Sequence, residues 1–342
     1  MIYDVSGLVY CGARAEKYKG LQSYGFPVGG IHYLMKHIVS DIQSGKDVAL
    51  TFDSKSFRRE IDKLYKAGRP KDNAVYAQLD LLFELLQQCG IVCYKQERFE
   101  ADDLIFNIVE ANKGEYDYGR VEILGVDYDL THNIVSPQIS FHSISSQVNC
   151  VTWYDFSTAM VPNKIIPINT ISAYKVWCGD KSDNIKPFIS EKSGITGEVF
   201  YNKFLELIRL QKNPLSVEQM RSRQLLEVFL TKVGNYLDDK DMRELKKRMD
   251  LVFPVKLEGD FKVVTKFDKV DINALVNFLS LVNDRTSLRT LKKYAIKPTD
   301  ALIQTIKSRS KALVTGEYAV DKNRSVLDNC VNTELVNLKG FD

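Results

Sequence analysis

The sequence predicts an α/β fold, with a mostly parallel central sheet flanked by helices and a smaller, mainly helical region after it. Three observations predict this. Over the first 190 or so residues, short β-type runs alternate with helical patterns, the rhythm of parallel strands joined by crossover helices. Beyond that point the strand signal fades and helical patterns dominate. A chain of 342 residues with 44% hydrophobic residues is long and apolar enough for two domains, or for one large domain with an appendage.

The elements follow in order. Met1–Asp4, Asp47–Asp53, Ile91–Tyr94 and Val121–Val126 read as strands. A helix fills Gly30–Ser44 after the Pro27-Val28-Gly29-Gly30 loop. A second fits Asn73–Cys89, where Val75, Leu79, Leu82 and Leu86 recur at helical spacing, with Asp72 or Asn73 as cap and Gly90 as stop. Asp102–Glu110 reads as a third. Between residues 55 and 71 lie Lys55, Arg58, Arg59, Lys63, Lys66, Arg69 and Lys71, opposed only by Glu60 and Asp62. On a helix, Phe57, Ile61 and Leu64 would form an apolar stripe there and Arg59, Lys63 and Lys66 a basic one. Further on, Ser216-Val217-Glu218-Gln219 is a capping box for a helix to about Leu237. Asp241–Met249 reads as a short charged helix, Leu251–Val255 as extended chain, and Asp271 as the cap of Ile272–Val282. From about Ala312 the chain is polar, a tail or an extension lying on the body.

Several function classes are excluded. No run approaches eighteen apolar residues, so no membrane span is expected. The N-terminus carries no secretory signal, so the chain reads as soluble and intracellular. The six cysteines are scattered without a C-x-x-C pair, and the four histidines offer no zinc spacing, which points to reduced, mostly buried thiols. His32 and His37 read as ordinary helix residues. G-x-S-x-G, G-x-G-x-x-G and a complete phosphate loop are all missing.

The informative feature is where the strands stop. Asp4 ends the first and Asp53 the second. The third leads to Glu100-Ala101-Asp102-Asp103, and Asp127 and Asp129 follow the fourth. Gly179-Asp180-Lys181-Ser182-Asp183-Asn184 adds two acids around a turn. In an open parallel sheet the carboxyl ends of the strands share one edge, where ligands bind. Asp127 and Asp129, two apart in extended chain, would face one site together, and Glu100 and Asp103 would share a side of one helical turn. A single acid after a strand is usually a turn former or cap, but nine from five segments are not. Packed together they would repel and take up protons unless a divalent cation held them. Hard oxygen ligands with few histidines suit Mg²⁺ or Mn²⁺. Two such ions close together are a common device for phosphodiester hydrolysis. Setting those nine acids aside leaves 35 against 47 basic groups. An acidic pit on a basic surface suits a polyanionic substrate.

Together these motifs resemble the 5′-nuclease family, the flap endonucleases and the 5′→3′ exonuclease domains of bacterial DNA polymerases. They are Asp4-Val5-Ser6, Leu50-Thr51-Phe52-Asp53, Phe57-Arg58 with Tyr65-Lys66-Ala67-Gly68-Arg69, Glu100-Ala101-Asp102-Asp103, Asp127-Tyr128-Asp129, and Gly179-Asp180 with Asp183-Asn184-Ile185. The resemblance implies a PIN-like catalytic domain over 1–188 with a helical arch at about 55–90, a mainly helical DNA-binding domain over 189–300, and an extension over 301–342. It implies that Asp4, Asp53, Glu100, Asp102 and Asp103 hold one Mg²⁺ and that Asp127, Asp129, Asp180 and Asp183 build a second, looser site, with Asp103 near both and Mn²⁺ able to substitute. Lys66 and Arg69 match residues that steer the scissile phosphate. Tyr65 matches an aromatic that stacks on a base or packs within the arch, and Arg58, Arg59 and Lys63 are candidates for nucleic-acid contact.

The resemblance departs from the family after Ile185. There a glycine-rich helix-hairpin-helix, often with a potassium ion, is usual, whereas Lys186-Pro187-Phe188-Ile189-Ser190-Glu191-Lys192-Ser193-Gly194-Ile195-Thr196-Gly197 has its glycines out of register. This is more similar to the stand-alone bacteriophage ribonuclease H branch. The implied substrates are DNA with 5′ flaps or junctions and RNA/DNA hybrids. The implied setting is a cytoplasmic monomer (host cytoplasm if viral) working alone or with single-stranded DNA-binding and other replication proteins. A PIN-type RNA endonuclease and a non-catalytic junction-binding protein are the alternatives.

Overall fold

A computed structural model describes residues 1–111, 120–134, 136–144, 150–152, 170–209, 223–257 and 269–318. In chain order its elements begin with β1 (Ile2–Asp4), α1 (Val5–Arg14), β2 (Gln22–Ser23), β3 (Phe26–Pro27), α2 (Gly29–Gln43), β4 (Ala49–Thr51) and α3 (Arg58–Ile61). They continue with α4 (Asn73–Gln88), β5 (Val92–Tyr94), α5 (Ala101–Ala111), β6 (Val121–Gly125), a 3-10 turn (Tyr128–Asn133), β7 (Ile139–Ser143), β8 (Cys150–Val151) and α6 (Ile171–Cys178). The last are α7 (Gly197–Arg209), α8 (Arg223–Val233), a second 3-10 turn (Gly234–Tyr236), α9 (Asp239–Val252), α10 (Ile272–Leu281), α11 (Arg285–Thr290) and α12 (Asp300–Thr315). The expected α/β fold with mostly parallel pairing is observed: β1–β4, β4–β5 and β6–β7 are parallel, and β7–β8 is antiparallel.

These elements form two compact units that interleave along the chain. The first takes its described residues from 1–55, 71–116 and 258–342, the second from 56–70 and 117–257. The helices that composition groups after residue 189 are therefore shared between the units.

In the first unit, β1, β4 and β5 lie side by side with Asp4 level with Thr51 and Thr51 level with Tyr94. The Thr51 hydroxyl donates to the Tyr3 carbonyl at 2.9 Å, tying β4 to β1 just before both strands end. Helix α4 begins where expected, with the Asp72 carboxylate accepting from Ala74 N and Val75 N. It stops before Gly90, whose φ of +73° only glycine adopts without strain. From α4 the buried Gln78 reaches across to α2, its Oε1 accepting from Gly30 N at 2.9 Å and Ile31 N at 3.3 Å. Gln78 thereby supplies the acceptor that α2's own N-cap residue, Val28, does not. Helix α10 starts on Asp271, as expected from its capping side chain. The buried Cys89 thiol is pushed up to about 12 by its surroundings and stays protonated.

In the second unit, α6, α7, α8 and α9 pack around Trp177. Its ring stacks on Phe200 with centroids 4.9 Å apart and meets Phe188 and Phe229 edge-on. The chain from α6 to α7 makes two antiparallel bridges, Asp180 with Ile185 and Ile189 with Thr196. Two helices joined by a hairpin-like connection are thus present although the glycines are out of register. The clamp is Asp241, 2% exposed, which accepts from Ser190 Oγ (2.6 Å), Glu191 N (2.8 Å) and Lys192 N (3.4 Å).

One helix was not expected, and three local expectations are corrected. Helix α1 follows Asp4 at once; its buried Val5, Leu8, Val9 and Gly12 have helical spacing, disguised by β-branched residues and glycines. The basic helix over 55–71 is a single turn, α3. Asp62 goes extended and takes Leu64 N on its carboxylate at 2.8 Å, and Lys66 has φ +53°, so the proposed stripes do not form. Asp127 and Asp129 do not share an extended strand, because the chain turns into the first 3-10 turn at Tyr128. Leu251 and Val252 belong to α9, and extended chain begins only at Phe253. The capping box at Ser216 lies outside the described residues.

At Gly197, the start of α7, an added Cβ would stand 1.8 Å from the Trp177 carbonyl oxygen and 3.2 Å from that of Phe188. Gly197→Ala is expected to destabilise the protein by about 3 kcal/mol, read as a lowered urea midpoint. An unchanged midpoint would contradict this close approach.

Candidate active site

The first set of predicted acids belongs to the first unit and surrounds the carboxyl ends of β1 and β4 and the start of α5. Asp4 is 7% exposed, Glu100 6% and Asp103 0%. Asp4 occupies the N-cap position of α1 but makes no capping hydrogen bond to it, so capping does not explain its presence. Asp53 lies two residues past β4. Its Oδ1 accepts from Ala101 N at 2.8 Å, which places the carboxylate at the mouth of α5. Asp103 Oδ2 accepts from Glu100 N at 3.1 Å, folding the Asp103 side chain back over the first turn of α5. Ser54 sets the geometry between strand and helix, donating through Oγ to the Gln96 carbonyl (2.5 Å) and the Phe99 carbonyl (2.9 Å). Asp102 and Asp103 in the first turn of α5 also meet the positive end of that helix.

The second set belongs to the second unit. Asp127 caps the 3-10 turn, its Oδ1 accepting from Asp129 N at 3.1 Å. Asp180 closes its own turn through Ser182 N (2.8 Å) and Ser182 Oγ (2.6 Å). Asp183 receives Arg69 at 2.5 Å and the Tyr65 hydroxyl at 3.3 Å, while Lys66 N donates to its carbonyl at 3.0 Å and Asn184 Nδ2 donates to the Leu64 carbonyl at 2.9 Å. The structure therefore brings Tyr65, Lys66 and Arg69 to the acidic turn 180–183.

Two of the basic-region residues have other duties. Tyr65 is 3% exposed and packs with Ile185 and Leu251, so its ring has no face open for a base, and the packing role is the one observed. Arg58 is 3% exposed and donates to the Phe253 carbonyl at 3.0 Å. A guanidinium enclosed this way anchors the chain and does not reach an external phosphate. Arg59 and Lys63 are exposed, and the Lys66 ammonium lies 5.0 Å from the centre of the Tyr65 ring.

Sequence reasoning missed Lys175. Its ammonium contacts Asp129 Oδ2 and lies 2.6 Å from Asp180 Oδ2, with only 15% of the side chain exposed. A signal existed: a lysine between Ala173, Val176 and Trp177 on an apolar helix, five residues before Asp180. Burial and then the Asp127 carboxylate push Asp129 up to about 7, against the pull of Lys175. Burial also works against the ionised forms of Asp180 and Lys175. There the attractions win: Lys175 holds Asp180 down to about 2, while Asp129, then Asp127 and Asp180, raise Lys175 well above its ordinary value.

Among the described residues, no three His, Cys, Asp or Glu side chains close around a point that could hold a metal ion. Several of these carboxylates are met by local donors, Ala101 N, Glu100 N, Ser182 and Lys175. The donor chemistry still fits a hard divalent cation: oxygen-only side chains, three of them buried at one strand edge, and an Asp129 Oδ1 that is buried without a hydrogen-bond partner among the described residues.

An α/β protein with carboxylates gathered at the ends of parallel strands belongs to a class whose chemistry sits on that edge. The sequence matches the family described as 5′-3′ exonuclease, N-terminal resolvase-like domain, over residues 1–161. The 5′-3′ exonuclease of Buchnera aphidicola subsp. Schizaphis graminum is 30% identical over 208 residues, covering 58% of this chain and 68% of that one. The chain belongs to the 5′-3′ exonuclease family of nucleases. The thermostable DNA polymerase I of Thermus thermophilus is 31% identical over 172 residues, and DNA polymerase I of Bacillus caldotenax 25% over 312. This chain spans 20% and 33% of their respective lengths. Among solved structures, the T5 D15 protein co-crystallized with metal ions aligns with a TM-score of 0.48 at 16% identity, over 91% of this chain and 98% of that one. No helix among the described residues is long and apolar enough to cross a membrane.

In metal-free buffer the raised Asp129 makes stability pH-dependent. Its folded value of about 7 exceeds the unfolded 3.8. The fold therefore holds an extra proton in that window, and stability falls as pH rises through it. The lowered Asp180 acts oppositely and at lower pH, losing its contribution as pH falls from 3.8 towards about 2. Asp129→Asn should flatten the decline of the urea midpoint between pH 4 and 7 in EDTA; equal slopes in both proteins would refute the shift.

Proposed function

We propose that this chain is a metal-dependent 5′→3′ exonuclease and flap endonuclease that hydrolyses phosphodiesters near single-strand/duplex junctions. Its substrates on this reading are 5′ flaps and RNA primers paired to DNA. The observation that carries the reading is the first acid set: Asp4 and Asp53 at the ends of parallel strands, with Glu100, Asp102 and Asp103 at the mouth of the next helix. The family membership supports the same reaction class.

Asp4, Asp53, Glu100, Asp102 and Asp103 would hold one Mg²⁺ or Mn²⁺, and Asp127, Asp129, Asp180 and Asp183 a second. Such ions, when bound, activate water and stabilise the departing oxygen. The chain's own residues do the rest. Arg69 brings positive charge to Asp183, and Lys66, tied to the same turn through its backbone N–H, adds a second cation on that segment, so the two would offset the charge of an incoming phosphate. Asp183 and Tyr65 hold that basic segment against the acidic turn, fixing its position before substrate arrives. Exposed Arg59 and Lys63 add sequence-independent attraction for the nucleic-acid backbone. A monomer working beside single-stranded DNA-binding and other replication proteins, in the cytoplasm, is the setting this reading implies.

The test is a 5′-labelled flap duplex with Mg²⁺, an EDTA control, and the variants Asp102→Asn and Asp127→Asn. Release of a short 5′ product should need metal and fall by more than about 100-fold in each variant, with unchanged circular dichroism. Wild-type turnover in the variants would overturn the metal assignment. Junction binding without cleavage in Mg²⁺ or Mn²⁺ would point to a non-catalytic junction-binding protein.

A further inference from the structure

The two acid sets are not equivalent, because one contains its own cation. Lys175 stands on α6, whose position is fixed by the Trp177 cluster, and its stem is enclosed so that the ammonium has few other places to go. The ammonium contacts Asp129 Oδ2 and lies 2.6 Å from Asp180 Oδ2, spanning two of the four acids that would make up the second metal site. These acids come from different segments, one after β6 and one after α6, so Lys175 does between them what a bridging cation would do.

We infer that Lys175 is the resident cation of the Asp129–Asp180 pair, so that a divalent ion enters this second acid set only by displacing the lysine. This rests on the metal-dependent reading above. Each ion pair the ammonium makes must be given up before a metal can take the same oxygens, so the apparent affinity is reduced by the fraction of molecules in which the lysine has swung away. At modest metal concentration the chain then carries one divalent ion, held by the acids of the first unit. A second ion binds weakly, and more weakly than four carboxylates alone would hold it.

The test is a Mn²⁺ binding titration read by electron paramagnetic resonance on the wild-type protein, Lys175→Met, Lys175→Arg and Asp102→Asn, with thermal unfolding as a fold check. Lys175→Met keeps the apolar stem and removes the charge; it should tighten the second ion by about tenfold or more and leave the first unchanged. Lys175→Arg keeps the charge and should bind the second ion as weakly as wild type. An unchanged or weaker second ion in Lys175→Met would overturn the inference, as would Lys175→Arg behaving like Lys175→Met. Asp102→Asn reports separately on the underlying reading. It should lose the tighter ion, and keeping it would refute the metal assignment of the first set whatever the Lys175 variants do.

Discussion

Carboxylates crowded at the end of a sheet are the constraint on which the rest of this structure depends. Each buried acid loses hydration, and each neighbouring acid adds repulsion, so a fold that keeps them must supply donors or cations nearby. The first unit answers with backbone N–H groups at the mouth of α5 and with the positive end of that helix. The second answers with side-chain cations: Lys175 against Asp129 and Asp180, and Arg69 against Asp183. Backbone donors cannot be displaced without unfolding a turn, whereas a lysine can swing away. On the proposed reading, that difference makes the two sets respond differently to an arriving cation.

The aromatic cluster around Trp177 serves the same purpose at one remove. It fixes α6, and with it both Lys175 at mid-helix and the acidic turn that follows. The connection onward to α7 lacks the glycine spacing that makes a tight hairpin easy, yet the Ile189–Thr196 bridge forms. A buried aspartate from α9 replaces what the glycines would have given. Asp241 gathers Ser190 Oγ and two consecutive backbone N–H groups, and those hydrogen bonds bring its carboxyl below its ordinary value despite burial. One carboxylate from a distant helix can thus set a loop shape that local sequence does not specify.

Much was legible in the chain because it depends on spacing. The strands at Ile2–Asp4, Ala49–Thr51, Val92–Tyr94 and Val121–Gly125 lie where the β-type runs fall, and the acids follow them as the pattern required. Asp72 and Asp271 cap the helices they were expected to cap. Less legible were segments where two local preferences competed. Val5–Arg14 has helical spacing written in poor helix formers, and residues 62–66 carry a helix-like pattern broken by one aspartate that prefers to cap a turn.

The sequence by itself determined the fold class and the placement of the acids after the strands, because period and spacing are properties of the chain. Only the tertiary structure decided which charged groups meet. It enclosed Arg58 and Tyr65, which as sequence look like surface groups for a phosphate and a base, and it carried Lys175 from an apolar helix into contact with two aspartates. The reason is that the cost of a buried charge is set by its neighbours in space, and those neighbours come from segments that no local pattern connects.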